Sequence, residues 1–183
     1  MVTLPWRRRR LPADRSPALE AEERIVAWAG ALADATVVAT NRGLWLSTVA
    51  PDATRWVRIG WHEIHKATWS GRELSIVTAA EVAQEESYAV MADQSPLVLT
   101  LVDPDGVPDQ VRARVNRSVA YTSHHPLPGG GGVRVVARRV AGVNGVRWSV
   151  RYDRAADAAD PDVALVTGEL VAAARSAIEP AEE

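Results

Sequence analysis

The sequence predicts an α+β fold in which an antiparallel β-barrel or β-sheet is closed by one helix, with a β-hairpin and a second helix appended. Short β-prone runs separated by turn signals follow one another from residue 36 to residue 102. An apolar seam at four-residue spacing, formed by Val111, Val115 and Val119, predicts the closing helix directly after them. A chain of 183 residues with 47% apolar residues suits one packed domain with an appendage.

The first sixteen residues predict a disordered basic arm. It contains Trp6 followed by the cation cluster Arg7, Arg8, Arg9 and Arg10. Such a cluster suits anionic lipid headgroups, but at ~1 kcal/mol per cation it gives only reversible attachment. No apolar stretch follows these arginines, so the sequence predicts no export signal, and we expect a cytoplasmic protein.

A domain is predicted over residues 17–120, and it begins with an N-terminal helix. Ser16 and Pro17 are typical of a helix start. An apolar stripe that runs from Leu19 to Leu32 predicts a helix that ends near Gly30. We expect this helix to cover one face of the sheet.

About seven short strands are predicted after this helix. Val57, Ile59 and Trp61 alternate with less apolar neighbours, as a half-buried strand requires. The predicted strands lie at residues 36–40, 44–49, 57–61, 67–69, 74–78, 88–92 and 97–102. A helix that begins at Val107 would then plug the open end of the barrel and protect its edges.

Residues 121–183 predict a β-hairpin and a C-terminal helix packed on the same body. Two β-prone runs, at 133–141 and 146–153, flank Asn144-Gly145, a typical two-residue hairpin turn. Asp160-Pro161 then predicts the start of the last helix.

Two short stretches of the predicted sheet carry a family resemblance. Residues 36–46, Thr-Val-Val-Ala-Thr-Asn-Arg-Gly-Leu-Trp-Leu, and residues 58–64, Arg-Ile-Gly-Trp-His-Glu-Ile, are similar to the first hairpin and a recurrent strand and turn of bacterial PH-like (GRAM-like) domains. The resemblance covers roughly residues 31–120. Gly43 stands where that family more often has arginine, and Gly60 where proline is common. The resemblance implies a barrel-like sheet closed by a helix and used for lipid or protein binding, not for catalysis.

The polar residues form no recognised catalytic, metal or cofactor motif, so we expect neither an enzyme nor a cofactor. The chain has no cysteine. His62 and His65 are three residues apart, not the four of a zinc-protease helix, and on an extended segment they would lie on opposite faces. His124 and His125 are expected in a loop. The glycines at 129–132 lack the lysine of a phosphate-binding loop.

Four arginines in the predicted hairpin are the main candidate binding site. With a two-residue turn at Asn144-Gly145, they share one face of the hairpin, and Arg151 lies opposite Arg138. The four are Arg134, Arg138, Arg147 and Arg151. Opposed like charges are unfavourable unless solvent, an acidic partner or an anion separates them. Two alternatives stay open: a solvated edge, or a site for an acidic partner or phosphate.

Trp56 is a second candidate contact residue. Since it alternates with Val57, we expect it to be partly exposed beside Arg55 and Arg58, a composition typical of protein interfaces. Trp61, Trp69 and Trp148 are expected in the core. A net charge of −2 argues against nucleic acid.

These observations favour a non-catalytic binding or scaffold protein that contacts another protein. The alternative is peripheral binding to anionic lipid through the basic arm. An enzyme would need polar side chains that converge in a deep pocket.

Overall fold

A computed structural model describes residues 10–49 and 54–178 of the chain. The described residues form eleven strands, two α-helices and a short 3-10 helix, Ala13–Arg15. The strands are β1 Ile25–Ala31, β2 Thr36–Thr40, β3 Gly43–Val49, β4 Thr54–Gly60, β5 Ile64–Trp69, β6 Glu73–Gln84, β7 Ala89–Asp93, β8 Leu97–Val102, β9 Val119–Pro126, β10 Gly132–Arg139 and β11 Val146–Tyr152. The helices are α1 Val107–Ser118 and α2 Pro161–Ile178. Within these ranges, neither helix has the length and apolar character needed to cross a bilayer.

All eleven strands belong to one mixed sheet. Its order is β4, β3, β2, β1, β8, β6, β7, β11, β10, β9, with β5 paired to β6 outside this path. Every pairing is antiparallel except that of β7 with β11, which is parallel. This parallel junction has two residue pairs, Ser149 with Ala89 and Val150 with Val90. Strands β4 and β9 stand at the two ends of the order.

The predicted PH-like antiparallel barrel closed by a helix is wrong. The sheet is open, and the segment predicted as an appended hairpin continues it through the junction of β7 with β11. Alternation of side chains along a strand defines which face is buried. It does not determine whether the last strand meets the first or a strand from farther along the chain.

The predicted N-terminal helix is also wrong. Residues 17–24 form turns and irregular chain, and the following residues form β1, which lies between β2 and β8. Ala29 and Ala31 are buried while Gly30 between them is partly exposed, which is the alternation of a strand. A short apolar run fits the helical and the strand period equally well, so the stripe alone could not decide between them.

Two hydrophobic cores lie along the sheet. The first contains the seam of α1, with residues such as Val107, Val111, Leu44, Ile64 and Leu74. The second contains one side of α2 packed on β10 and β11, with residues such as Val163, Val171, Val133, Val135 and Val150. Each helix therefore covers its own part of the sheet.

Gly43 and Gly60 pair with each other across β3 and β4. A Cβ atom on Gly43 would lie 2.6 Å from the backbone carbonyl oxygen of Ile59. Because that neighbour is backbone and cannot rotate away, the strands approach too closely there for any side chain.

Candidate functional site

The candidate site is built on the hairpin of β10 and β11. Arg138 pairs with Arg147 and Arg134 with Arg151, and the last pair before the loop joins Arg139 to Val146. The predicted two-residue turn and the predicted pairing of Arg151 with Arg138 are therefore wrong. Residues 140–145 all lie in the loop, and this longer connection shifts the register.

The four arginines lie on the face of the hairpin that points away from α2. Val135, Ala137 and Val150 alternate with the arginines and belong to the core that α2 covers. The face with the arginines is therefore the one that turns toward the rest of the sheet.

A cleft of about 770 Å³ lies beside the hairpin, and residues from both faces of the hairpin and Arg175 of α2 line it. Arg138 and Arg147 line it, and Arg134 and Arg151 are not among its lining residues. The cleft also receives side chains from the turn after β4, from β5 and from the hairpin of β6 and β7. These side chains include His62, Glu63, His65, Glu81, Glu86, Tyr88 and Met91.

Arg138 is 8% exposed, and its guanidinium reaches across to the first core. Its Nη1 donates hydrogen bonds to the carbonyl oxygen of Ile64 at 3.1 Å and to Ser118 Oγ at 2.9 Å. Its Nε is buried without a hydrogen-bond partner. Burial, followed by the nearby cation of Arg151, lowers the pKa of Arg138. Among the described residues, no carboxylate lies within ion-pair distance of its guanidinium.

Glu23 is the other charged residue that the described part of the chain buries, and it is fully partnered. Its carboxylate accepts hydrogen bonds from Thr40 Oγ1 at 2.6 Å and Trp45 Nε1 at 2.8 Å, and it lies 3.3 Å from Arg58 Nη1. Burial raises the pKa of Glu23, but these contacts outweigh burial and lower it overall. Glu23 therefore has an oppositely charged partner, whereas Arg138 has none within ion-pair distance among the described residues.

The remaining arginines of the hairpin differ in their partners. Arg151 forms an ion pair with Asp93. Arg147 is exposed and Arg134 half-buried, and in residues 10–49 and 54–178 neither has a carboxylate within ion-pair distance. Arg138 and Arg147 are thus two directly opposed cations in the same cleft, and within the described ranges neither has an ionic partner.

His62 and His65 both line this cleft, so the prediction that they lie on opposite faces is wrong. Alternation does not apply between them because His62 lies in the turn before β5. The His65 side chain is 6% exposed, and its Nδ1 lies 3.6 Å from an Asp93 carboxylate oxygen. Burial, then the cations of Arg138 and Arg151, lower the pKa of His65 to about 4 despite Asp93. His65 is therefore neutral at pH 7.

Among the described residues, the acidic side chains of the cleft form no ion pair with Arg138 or Arg147. Glu63 accepts a hydrogen bond from the backbone N–H of Gly60 and so closes the turn after β4. Glu81 and Glu86 are exposed. Burial, the largest influence, lowers the pKa of His62 despite the neighbouring Glu63.

His124 and His125 belong to β9 and not to the loop that was predicted. His124 Nε2 lies 2.8 Å from Asp153 Oδ2, and His125 Nε2 lies 2.9 Å from Ser123 Oγ. Neither histidine lines the cleft. Wherever the structure describes the chain, it holds no group of three or more histidine, aspartate or glutamate side chains suited to a metal ion.

The other sequence candidates lie apart from this cleft or outside the described residues. Arg7, Arg8 and Arg9 lie outside the described residues, and Arg10 is exposed. Trp56 is half-buried in β4, at the opposite end of the strand order from β10. The structure therefore does not bring these candidates together with Arg138.

Sequence reasoning missed Asp93 and Ser118, two residues that contact charged or titratable side chains at the cleft. Asp93 faces His65 and Arg151, while Ser118 holds Arg138. No local pattern marks either residue for this role, because the cleft side chains that they contact lie at least 20 positions away along the chain. Only the register of the sheet could have identified them.

No protein-family model matches this chain, and no curated protein or solved structure matches it either. The resemblance of residues 31–120 to bacterial PH-like domains therefore stays a prediction from the sequence.

Proposed function

We propose that this chain is a non-catalytic, cytoplasmic binding protein whose cleft holds an anionic segment of a partner protein. One observation carries the proposal: Arg138 is buried in the cleft wall without a carboxylate within ion-pair distance among the described residues. A buried charge is costly unless it is paired, and an anionic ligand would supply the missing charge.

The lining of the cleft suits a protein partner. Arginine, methionine and aromatic side chains are enriched in protein interfaces, and Arg138, Arg147, Tyr88, Met91 and Trp148 all line this cleft. Its volume of about 770 Å³ lies within the usual range for a ligand site.

The contacts of the two histidines support binding and not catalysis. A nucleophilic hydroxyl would need a hydrogen bond to a general base. In the described part of the chain, the side-chain contact of His65 is with Asp93, and neither His65 nor His62 has a hydrogen bond to a serine or threonine hydroxyl. Binding of anionic lipid by the basic arm stays a prediction from the sequence, since no described contact supports it.

The proposal is tested by fluorescence anisotropy with a labelled decapeptide that carries one central glutamate between neutral residues. We expect saturable binding that Arg147→Gln weakens by about fivefold, the equivalent of roughly 1 kcal/mol for one exposed ion pair. Arg134→Gln is the matched control, because Arg134 lies on the same face of the same hairpin but does not line the cleft. Absence of binding, or equal weakening by both variants, would contradict the proposal.

A further inference from the structure

We propose that the Arg138 end of the cleft binds a phosphoryl group on the partner segment, shared between Arg138 and Arg147. This inference rests on the proposed function and names the chemistry of the partner: a phosphorylated serine, threonine or tyrosine in an exposed segment.

The charge of the site favours a dianion. Arg138 and Arg147 are directly opposite each other on neighbouring strands, and such residues have Cβ atoms about 5 Å apart, so both guanidinium groups can reach one ligand. Neither has a carboxylate within ion-pair distance among the described residues. One carboxylate would neutralise one of these cations. A phosphoryl group carries about −1.5 to −2 charges at pH 7 and neutralises both.

The hydrogen bonds of Arg138 also disfavour a carboxylate. Arginine normally grips a carboxylate with two parallel N–H donors. Here Nη1 is committed to Ile64 and Ser118, and Nε is buried out of reach of a ligand. Nη2 remains as the donor of Arg138, so Arg138 by itself cannot form the two-pronged carboxylate contact. A phosphoryl group offers three acceptor oxygens, which can accept from Arg138 and Arg147 separately.

The same two hydrogen bonds hold the guanidinium of Arg138 in position before a ligand arrives. Since the side chain is already ordered, binding costs little of its conformational entropy. Arg147 is exposed and free to close on the ligand from the other strand. The site therefore combines one fixed donor with one mobile donor.

Charged groups on the other elements of the cleft determine which residues of the partner can lie beside the phosphoryl group. Glu81 on β6 and Glu86 in the following hairpin are exposed and line the same cleft. They repel further carboxylates, so we expect neutral or basic residues beside the phosphorylated position. Neutral His65, faced by Asp93, Arg138 and Arg151, would gain a proton more readily once a dianion is bound.

The experiment compares three labelled peptides of one sequence with neutral flanks, which carry phosphoserine, glutamate or serine at the central position. We expect the phosphoserine peptide to bind about tenfold more tightly than the glutamate peptide, and the serine peptide to bind least. Arg147→Gln should remove the preference for phosphoserine over glutamate, and Arg134→Gln should keep it. Inorganic phosphate is the fourth probe and should compete only at far higher concentration than the phosphopeptide.

An NMR titration of the His65 imidazole gives a second measurement that needs no variant of Arg138. The pKa of His65 should rise above about 4 when the phosphoserine peptide is bound. It should remain at about 4 when the serine peptide is bound. An unchanged pKa with saturating phosphopeptide would place the phosphoryl group elsewhere and overturn the inference.

The outcomes separate this inference from the proposed function. If the glutamate peptide binds as tightly as the phosphoserine peptide, the phosphoryl assignment is wrong while the proposed function stands. If no peptide binds, both are wrong. If inorganic phosphate alone competes as well as the phosphopeptide, the ligand is a free anion, and the assignment to a partner segment is overturned.

Discussion

Arg138 and Glu23 are both buried and charged, but among the described residues only Glu23 has an oppositely charged partner. Glu23 has an arginine, a tryptophan N–H and a threonine hydroxyl around its carboxylate. Arg138 has a backbone carbonyl and a hydroxyl, but no carboxylate among the described residues. The sequence identified Arg138 as a candidate because of its spacing from Arg147 and Arg134. It could not predict that this arginine, and not its neighbours, would be buried.

The lowered pKa of His65 predicts that the folded chain loses stability in mild acid. Its pKa is about 4 in the folded chain and about 6.5 unfolded, so between these values the unfolded chain binds more protons. The free energy of unfolding should therefore fall as the pH drops from about 6.5 to 4, with a loss of about 2 kcal/mol at pH 5. Urea unfolding at pH 7 and pH 5 measures this loss, and His65→Gln should remove it. If wild type and variant lose equal stability, His65 is not its source.

At the scale of the elements, local signals predicted α1 and α2, but they wrongly predicted an N-terminal helix and a two-residue turn at Asn144-Gly145. The valine seam of α1 is confirmed for Val111 and Val115, which are buried on that helix, but Val119 is the first residue of β9. Strand β9 was missed because His124, His125 and Pro126 are typical of a loop, although β9 pairs along most of its length with β10. Trp69 was expected in the core but is 37% exposed, because it lies at the end of β5.

Two glycines in different elements predict opposite effects of the same substitution. Gly43→Ala should lower the free energy of unfolding by about 1 to 3 kcal/mol, because its Cβ would meet the backbone oxygen of Ile59. Gly168→Ala in α2 should raise it by about 0.5 to 1 kcal/mol, since no atom lies within 4 Å of the new methyl and alanine favours helix. Chemical denaturation of both variants beside the wild type measures the difference. A Gly43 variant as stable as the wild type would show that β3 and β4 can separate at low cost.

At the scale of the whole molecule, the sheet and the site depend on contacts that no local pattern encodes. The cleft combines His62 and His65 with Arg138 and Arg147, which lie more than seventy positions later. The parallel junction of β7 with β11 makes this possible, and the sequence carries no sign of it. The hairpin arginines were predictable as a set, but their neighbours across the cleft were not.

Arg138 also joins the two cores, because its hydrogen bonds cross from β10 to the start of β5 and the end of α1. Arg138→Met should therefore let the second core open more easily on its own. We expect amide hydrogen exchange in β10 and β11 to become about tenfold faster, as loss of roughly 1.4 kcal/mol of hydrogen bonding implies, with little change in β2 and β3.

Hydrogen-exchange mass spectrometry of these strands measures that effect, with Arg134→Met as the control of equal charge change. Arg134 lies on the same strand and has no such link to the first core. Equal acceleration in both halves of the sheet would mean that the cores open together and that Arg138 is not the connection between them.

The strand order of the open sheet ends in β4 and β9, each of which pairs with one neighbour, so part of the backbone N–H and C=O groups of each strand face away from that neighbour. Such groups can recruit strands from other molecules and so lead to aggregation. Arg55 is an exposed cation on β4, and Pro126 ends β9 without a backbone N–H. These residues would then hinder edge-to-edge strand pairing between copies of the chain at high concentration.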